Sequence, residues 1–136
     1  MKTQHSLLMK TWLCHLLKKI FMDKENILIV LSKKLGIEIV LLVKQLQKSK
    51  EFIISNQIGR SGTSVGANIY EAQYAQSKAD FVSKLQIALK ECNETEYWLD
   101  LLEATSYIDK NKKEEINNLN KQIKVTLIKS IKTSKI

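Results

Sequence analysis

Proline is absent from all 136 residues, where average usage would supply about seven. Its absence removes the commonest interruption of a helix and permits long unbroken ones. Cysteine occurs twice, as Cys14 and Cys92, in no CxxC pair; this excludes a disulfide-stapled fold and leads us to expect an intracellular, cytoplasmic chain. Histidine occurs only as His5 and His15. A di-iron or di-manganese bundle needs Glu-x-x-His pairs on facing helices, so no metal site and no cofactor is expected. No eighteen-residue run is apolar and uncharged, so no membrane-spanning helix is expected. Aromatic residues make up 7% of the chain and lack the spacing of a base-stacking platform, which argues against sequence-specific readout of single strands.

Glycine is also scarce, with four in the chain, and three of them (Gly59, Gly62, Gly66) fall in the stretch Gln57–Ala72, QIGRSGTSVGANIYEA. Clustered glycines invite a phosphate-loop interpretation. However, the stretch lacks the GK[ST] ending of a Walker loop and the GxGxxG order of a dinucleotide turn, and no strand pattern precedes it. Spaced three and four apart, the glycines instead line one side of a helix and let another backbone approach. Each costs about 1 kcal/mol of helix propensity relative to Ala, which close packing must offset. Arg60, Ser64, Asn68 and Glu71 form a polar stripe along the same helix. Exposed, that stripe offers a contact for phosphate or a partner; buried, it must satisfy itself with neighbours such as Glu94. We favour a structural network of Ser64, Asn68, Glu71 and Glu94, because buried polar groups in bundles fix register.

Charge is the most uneven property of the chain. The net charge is +8: residues 1–22 hold four Lys and no acid, residues 110–136 hold eight Lys against Glu114 and Glu115, and residues 23–109 hold ten basic against twelve acidic residues. Basic ends suggest a polyanionic partner (RNA, DNA or a membrane surface), with a solvated lysine face as the bland alternative.

The first 21 residues are apolar in flavour (Leu7, Leu8, Met9, Trp12, Leu13, Leu16, Leu17, Ile20, Phe21), but Lys10, His15, Lys18 and Lys19 interrupt any signal-peptide core. Leu7–Phe21 fits a short basic amphipathic helix on a membrane surface. The plainer alternative is that translation begins at Met22 and residues 1–22 are a leader incidental to a domain spanning 23–136.

Four helical periods follow. The first runs from about Asn26 to Lys48, with Leu28, Leu31, Leu35, Ile39, Leu42 and Leu46 on one stripe and Ile27, Val30, Ile37, Val40, Leu41 and Val43 spilling onto neighbouring faces. A helix apolar over most of its circumference needs cover on two sides, which predicts self-association. Ser49, with Glu51 behind it, is the candidate N-cap of a second helix reaching about Ala75, its inner face Ile54, Ile58, Ser61, Val65, Ile69 and Ala72. Ser77 and Asp80 cap a third helix, on which Phe81, Leu85, Ala88, Cys92, Thr95, Leu99 and Leu102 keep heptad spacing. The last starts near Asp109 or Asn111 and turns Ile116, Leu119, Ile123, Leu127 and Ile131 inward, with Lys121, Lys124, Lys132 and Lys135 on another face. Short connections favour antiparallel neighbours, hence an all-α, up-down-up-down antiparallel four-helix bundle.

Catalysis finds no support in this inventory. Glu91, Glu94 and Glu96 suit ion pairs better than an acid and base couple. Cys92 sits on the apolar heptad face, where a cysteine is an inert core residue. We expect no enzyme.

The segments S-G-T-S-V-G-A-N-I-Y-E-A at 61–72, Q-S-K-A-D-F-V-S-K-L-Q-I-A-L-K-E at 76–91 and E-T-E-Y-W-L at 94–99 resemble the bacterial four-helix bundle proteins of the 23S rRNA intervening-sequence protein family, over about Lys24 to Lys129. Ser64, Asn68, Ile69 and Glu71 match that family's Ser-x-x-x-Asn-Ile-x-Glu signature, and Glu94 and Glu96 match the glutamates of its third helix. Gly66-Ala67 stands where the family often has a proline, Ala72 replaces its glycine, and Lys90-Glu91 replaces its Gly-Ser. The resemblance implies a homopentameric ring with a basic surface and without known catalysis, similar in fold to accessory proteins of diversity-generating retroelements that bind nucleic acid and a reverse transcriptase. The expected function is therefore a non-enzymatic oligomer that binds nucleic acid, structured RNA foremost, through Arg60, Lys121, Lys124, Lys129 and Lys132. The alternative is a protein-interaction scaffold whose charge serves only solubility.

Overall fold

The computed structural model describes residues 27–135, and all their regular structure is helical. Helix α1 covers residues 27–48, α2 Ile53–Ala72, α3 Lys78–Ala104 and α4 Lys110–Ser134. The leader, its amphipathic helix, a start at Met22 and the first residue of the expected α1, Asn26, lie outside the described residues.

The heptad stripe of α3 is the core's spine. Leu85, Ala88, Cys92, Thr95, Leu99 and Leu102 are all buried, with Phe81 half-buried against the same core. α4 supplies Ile116, Leu119, Ile123, Leu127 and Ile131, and α2 supplies Ile58, Val65, Ile69 and Ala72. On α1, Ser32 rather than Leu31 occupies the fully covered position between Leu28 and Leu35, its hydroxyl donating to the Ile29 carbonyl. Leu31 packs half-buried beside it. The hydroxyl is sited there because α2 passes close: Gly66 lies against the Ser32 backbone, and a larger side chain on α1 would hold the helices apart.

Cross-helix contacts pair rising numbers on one helix with falling numbers on the next. Ser32, Ile39 and Val43 of α1 lie against Gly66, Gly62 and Gly59 of α2. Ser61 meets Thr95 while Glu71 meets Lys84, and Cys92 meets Asn120 while Asp100 meets Lys113.

The helix ends depart from the sequence expectation at both ends of α2. Ser49 does not cap α2. The chain leaves α1 through Lys50 at φ 59°, with Glu51 N–H donating to the Leu46 carbonyl at 2.9 Å and Lys50 N–H to that of Gln47 at 3.0 Å, a Schellman closure. Ser49 thus belongs to the end of α1, and α2 begins only at Ile53. The cap is Glu51, whose carboxylate accepts from the N–H groups of Ile53, Ile54 and Ser55 at 3.1, 2.9 and 2.7 Å. A carboxylate there also complements the positive end of the helix dipole. At its other end α2 stops at Ala72, three residues before Ala75. Ser77 caps α3, its hydroxyl accepting from Asp80 N–H, while the Asp80 carboxylate accepts from Gln76 N–H. Asp109 caps α4 by accepting from Lys112 N–H at 2.7 Å.

Candidate nucleic-acid interface

The register of α2 against α3 decides what the polar stripe does. Arg60 faces outward, half-exposed, and its guanidinium reaches the carboxylates of both Glu91, at 3.3 Å, and Glu94. The hydrogen bond to Glu94 holds the Arg60 pKa above its usual value and Glu94 below the usual carboxylate range. Glu91, more enclosed, is raised, because burial outweighs the attraction of Arg60. Each exposed pair of this kind contributes about 0.2–1 kcal/mol. Arg60 is therefore largely neutralised in place.

The rest of the stripe works separately. The Ser64 hydroxyl donates to the Arg60 carbonyl at 2.6 Å and the Asn68 amide to the Ser64 carbonyl at 2.8 Å, both back along α2. Glu71 pairs with Lys84 at 3.0 Å. Ser64, Asn68, Glu71 and Glu94 thus sit along one edge of the α2–α3 seam without bonding to each other's side chains. The buried polar link between these helices is one that sequence reasoning did not single out, the Thr95 hydroxyl donating to that of Ser61 at 2.9 Å. Between α3 and α4, the Asn120 amide donates to the Cys92 carbonyl at 2.8 Å. Both pairs lie at core positions of their heptads, so a polar residue on an otherwise apolar stripe was the available signal. Glu91 lay three residues from Glu94, within reach of the same guanidinium.

The lysines of α4 divide into two groups. Lys110 pairs with Glu114 at 4.0 Å, Lys112 with Glu38 and Glu115, Lys113 with Asp100 and Glu103 at 2.8 and 2.9 Å, and Lys124 with Glu96 at 3.0 Å. Lys121, Lys129, Lys132 and Lys135 are exposed and, among the described residues, have no carboxylate partner. Lys121, Val125, Ile128 and Lys132 follow one another at spacings of four, three and four on the outer face, Val125 and Ile128 both exposed.

The imbalance extends over the whole bundle. Of the twelve carboxylates among the described residues, nine are in ion pairs and three (Glu51, Asp80, Asp109) accept N–H groups at helix starts. Eleven of the sixteen lysines there have no such partner. The surface therefore carries cations in excess of every anion available to neutralise them.

Cys92 is wholly buried, and burial pushes its thiol up to about 12. Among the described residues no group of three or more His, Cys, Asp or Glu is placed to hold a metal ion, and no helix is long and apolar enough to cross a membrane.

The profile of the 23S rRNA-intervening sequence protein family matches residues 24–129. The chain belongs to that family. A crystal structure of a protein of unknown function from the S23 ribosomal protein family of Bacteroides thetaiotaomicron is 54% identical, superposes with a TM-score of 0.78, and covers 80% of this chain and 98% of its own. No curated protein matches the chain. Membership in the 23S rRNA-intervening sequence protein family thus extends over all four helices, including the paired and unpaired lysines of α4 up to Lys129.

Proposed function

We propose that this protein is a non-enzymatic, oligomeric bundle of up-down-up-down antiparallel order that binds nucleic acid, structured RNA foremost, through electrostatic contacts with phosphates. The opposed numbering of the cross-helix contacts supports the topology. The observation that carries the function is the unneutralised charge: every carboxylate of the described residues is engaged, while Lys121, Lys129, Lys132 and Lys135 remain open on one helix. Such cations bind phosphate chiefly by releasing condensed counterions. Lys124 joins them at the edge, shared with Glu96. Arg60 contributes less, because a phosphate there competes with two carboxylates. The family's name, with its rRNA context, agrees with an RNA partner and a cytoplasmic setting. A buried Cys92 with its thiol pushed up to about 12 is a poor nucleophile, and α3's carboxylates are occupied by Arg60 and Lys124, which supports a non-catalytic role.

Oligomerisation rests on α1. Ile27, Val30, Ile37 and Leu41 are each about half or more exposed, more apolar surface than one helix of a monomer leaves uncovered. The family resemblance supports a homopentameric ring as that assembly. Analytical ultracentrifugation that finds a monomer at micromolar concentration removes this part.

For binding, a filter assay with a structured RNA should show affinity that falls steeply with salt. Replacing Lys121, Lys129 and Lys132 by Gln should lower the salt slope by about one per lysine lost. Undiminished affinity in that variant refutes the assignment. The protein-scaffold alternative draws on Val125 and Ile128, exposed between the lysines; retrieval of a protein partner after nuclease treatment, with no RNA affinity at low salt, favours it.

A further inference from the structure

From Ile116 to Lys135 helix α4 contains no acidic residue. Along its outward face Asn118, Lys121, Gln122, Val125, Ile128 and Lys132 are all exposed, and they fall within about a third of the helix circumference. Lys121 and Lys132 stand eleven residues apart, about 16 Å along the axis, and the apolar pair Val125 and Ile128 lies between them. The inner side of the helix is sunk in the core through Ile116, Ile123 and Leu127, and Lys124 and Thr126 at its flanks are half-buried. α4 therefore offers a partner a low convex ridge, not a free cylinder.

That profile selects among nucleic acids. The major groove of B-DNA is about 8.5 Å deep and its minor groove about 6 Å wide. A ridge embedded on its inner side does not reach the floor of the first, and a helix about 10–12 Å across does not enter the second. The minor groove of an A-form RNA duplex is wide and shallow, and it displays 2′-hydroxyls between two walls of phosphates. We propose, resting on the electrostatic reading above, that the RNA this protein binds is duplex and that the outward face of α4 lies across its minor groove. Lys121 and Lys132 then meet phosphates on opposite walls. Between them the amides of Asn118 and Gln122 exchange hydrogen bonds with 2′-hydroxyls, which both donate and accept, while Val125 and Ile128 cover the apolar faces of riboses. A single strand followed phosphate by phosphate would call for an unbroken row of cations; a groove spanned from wall to wall calls for cations at the ends and neutral side chains between them, the order found on α4.

Fluorescence polarisation at one low salt concentration, with the full chain and three labelled probes of equal length, tests the assignment: an RNA duplex, the DNA duplex of the same sequence, and one unstructured RNA strand. The RNA duplex should bind about tenfold more tightly than the DNA duplex, the worth of one or two hydrogen bonds to 2′-hydroxyls, and more tightly than the single strand. Asn118→Ala combined with Gln122→Ala should bring the two duplexes together without changing the slope of affinity against salt, because no charge is lost. Val125→Glu sets an acid at the centre of the face and should remove binding of the RNA duplex; the position is exposed and Glu is a good helix former, so unchanged far-ultraviolet circular dichroism should verify the fold. Equal affinity for the two duplexes, a preference for the single strand, discrimination that survives the double amide variant, or RNA-duplex affinity untouched by Val125→Glu each overturns the proposal and leaves electrostatic binding standing. Binding of none of the three probes overturns both.

Discussion

The glycines of α2 and α1 make a graded test of how closely these helices pack. A Cβ added at Gly62 would come within 2.6 Å of Ile39 Cγ1, at Gly59 within 3.3 Å of Val43 Cγ2, and at Gly36 would meet nothing within 4 Å. None of these glycines has a positive φ, so Ala is compatible with the backbone at all three. Each exchange recovers about 1 kcal/mol of helix propensity. At Gly36 nothing opposes it, and Gly36→Ala should stabilise by about that amount. At Gly59 the half-buried Val43 must yield a few tenths of an ångström, leaving a gain of about 0–1 kcal/mol. At Gly62 the neighbour is a β-branched side chain with no exposed surface, and overpacking costs about 1–3 kcal/mol, so Gly62→Ala should lose up to about 2 kcal/mol net. Urea denaturation followed by circular dichroism orders the three. In an Ile39→Ala background the penalty at Gly62 should shrink, a coupling that a double-mutant cycle resolves. If Gly62→Ala proves as stable as Gly36→Ala, the close approach of α1 and α2 is wrong.

The caps and charges yield further outcomes. Glu51→Ala orphans three N–H groups of α2 and should cost about 1 kcal/mol or somewhat more, whereas Ser49→Ala should leave the urea midpoint unchanged. Glu94 has a depressed folded pKa, so its stabilisation is complete above the ordinary carboxylate pKa and is lost as pH falls through the lower folded value; an acid titration of stability should show this loss, and Arg60→Gln should remove it. Ser106 holds φ 63° at the end of α3, so Ser106→Gly should raise stability by about 1 kcal/mol by relieving a left-handed residue, read as a higher melting temperature. In a Cys14→Ser background, Cys92 should resist thiol reagents at pH 8 and react only at the rate at which the bundle opens.

The fold was legible where a period repeats without exception. Seven heptad positions of α3 and five of α4 point inward because each is apolar or small and the spacing is sustained over many turns. The start of α2 was less legible. Ser49 has the chemistry of a cap, but the chain was already committed to closing α1 through Lys50 at a left-handed φ, a conformation that favours glycine and gives a lysine no signature. On α1 the sequence put Leu31 in the core, and the structure put Ser32 there, because the glycine face of α2 selects the smaller residue at its contact. The site followed the same rule: the spacing of Arg60, Ser64, Asn68 and Glu71 placed them on one edge, while only their register against α3 showed that Arg60 is held between two carboxylates and Glu71 by Lys84.

A composition of +8 is compatible with an evenly mixed surface, and then it would say little about a partner. What makes it specific is where the anions have gone. Three are consumed at helix starts by N–H groups that any bundle must satisfy, and those of α3 are consumed by Arg60, Lys113 and Lys124 across the seams that hold the helices in register. Folding itself therefore uses up the negative charge and leaves the outer lysines of α4 without internal counterions. An oligomer of the kind proposed would multiply such a face around an axis, so that phosphate contacts would add along one strand of RNA and the dependence on salt would become steeper than a single subunit could produce.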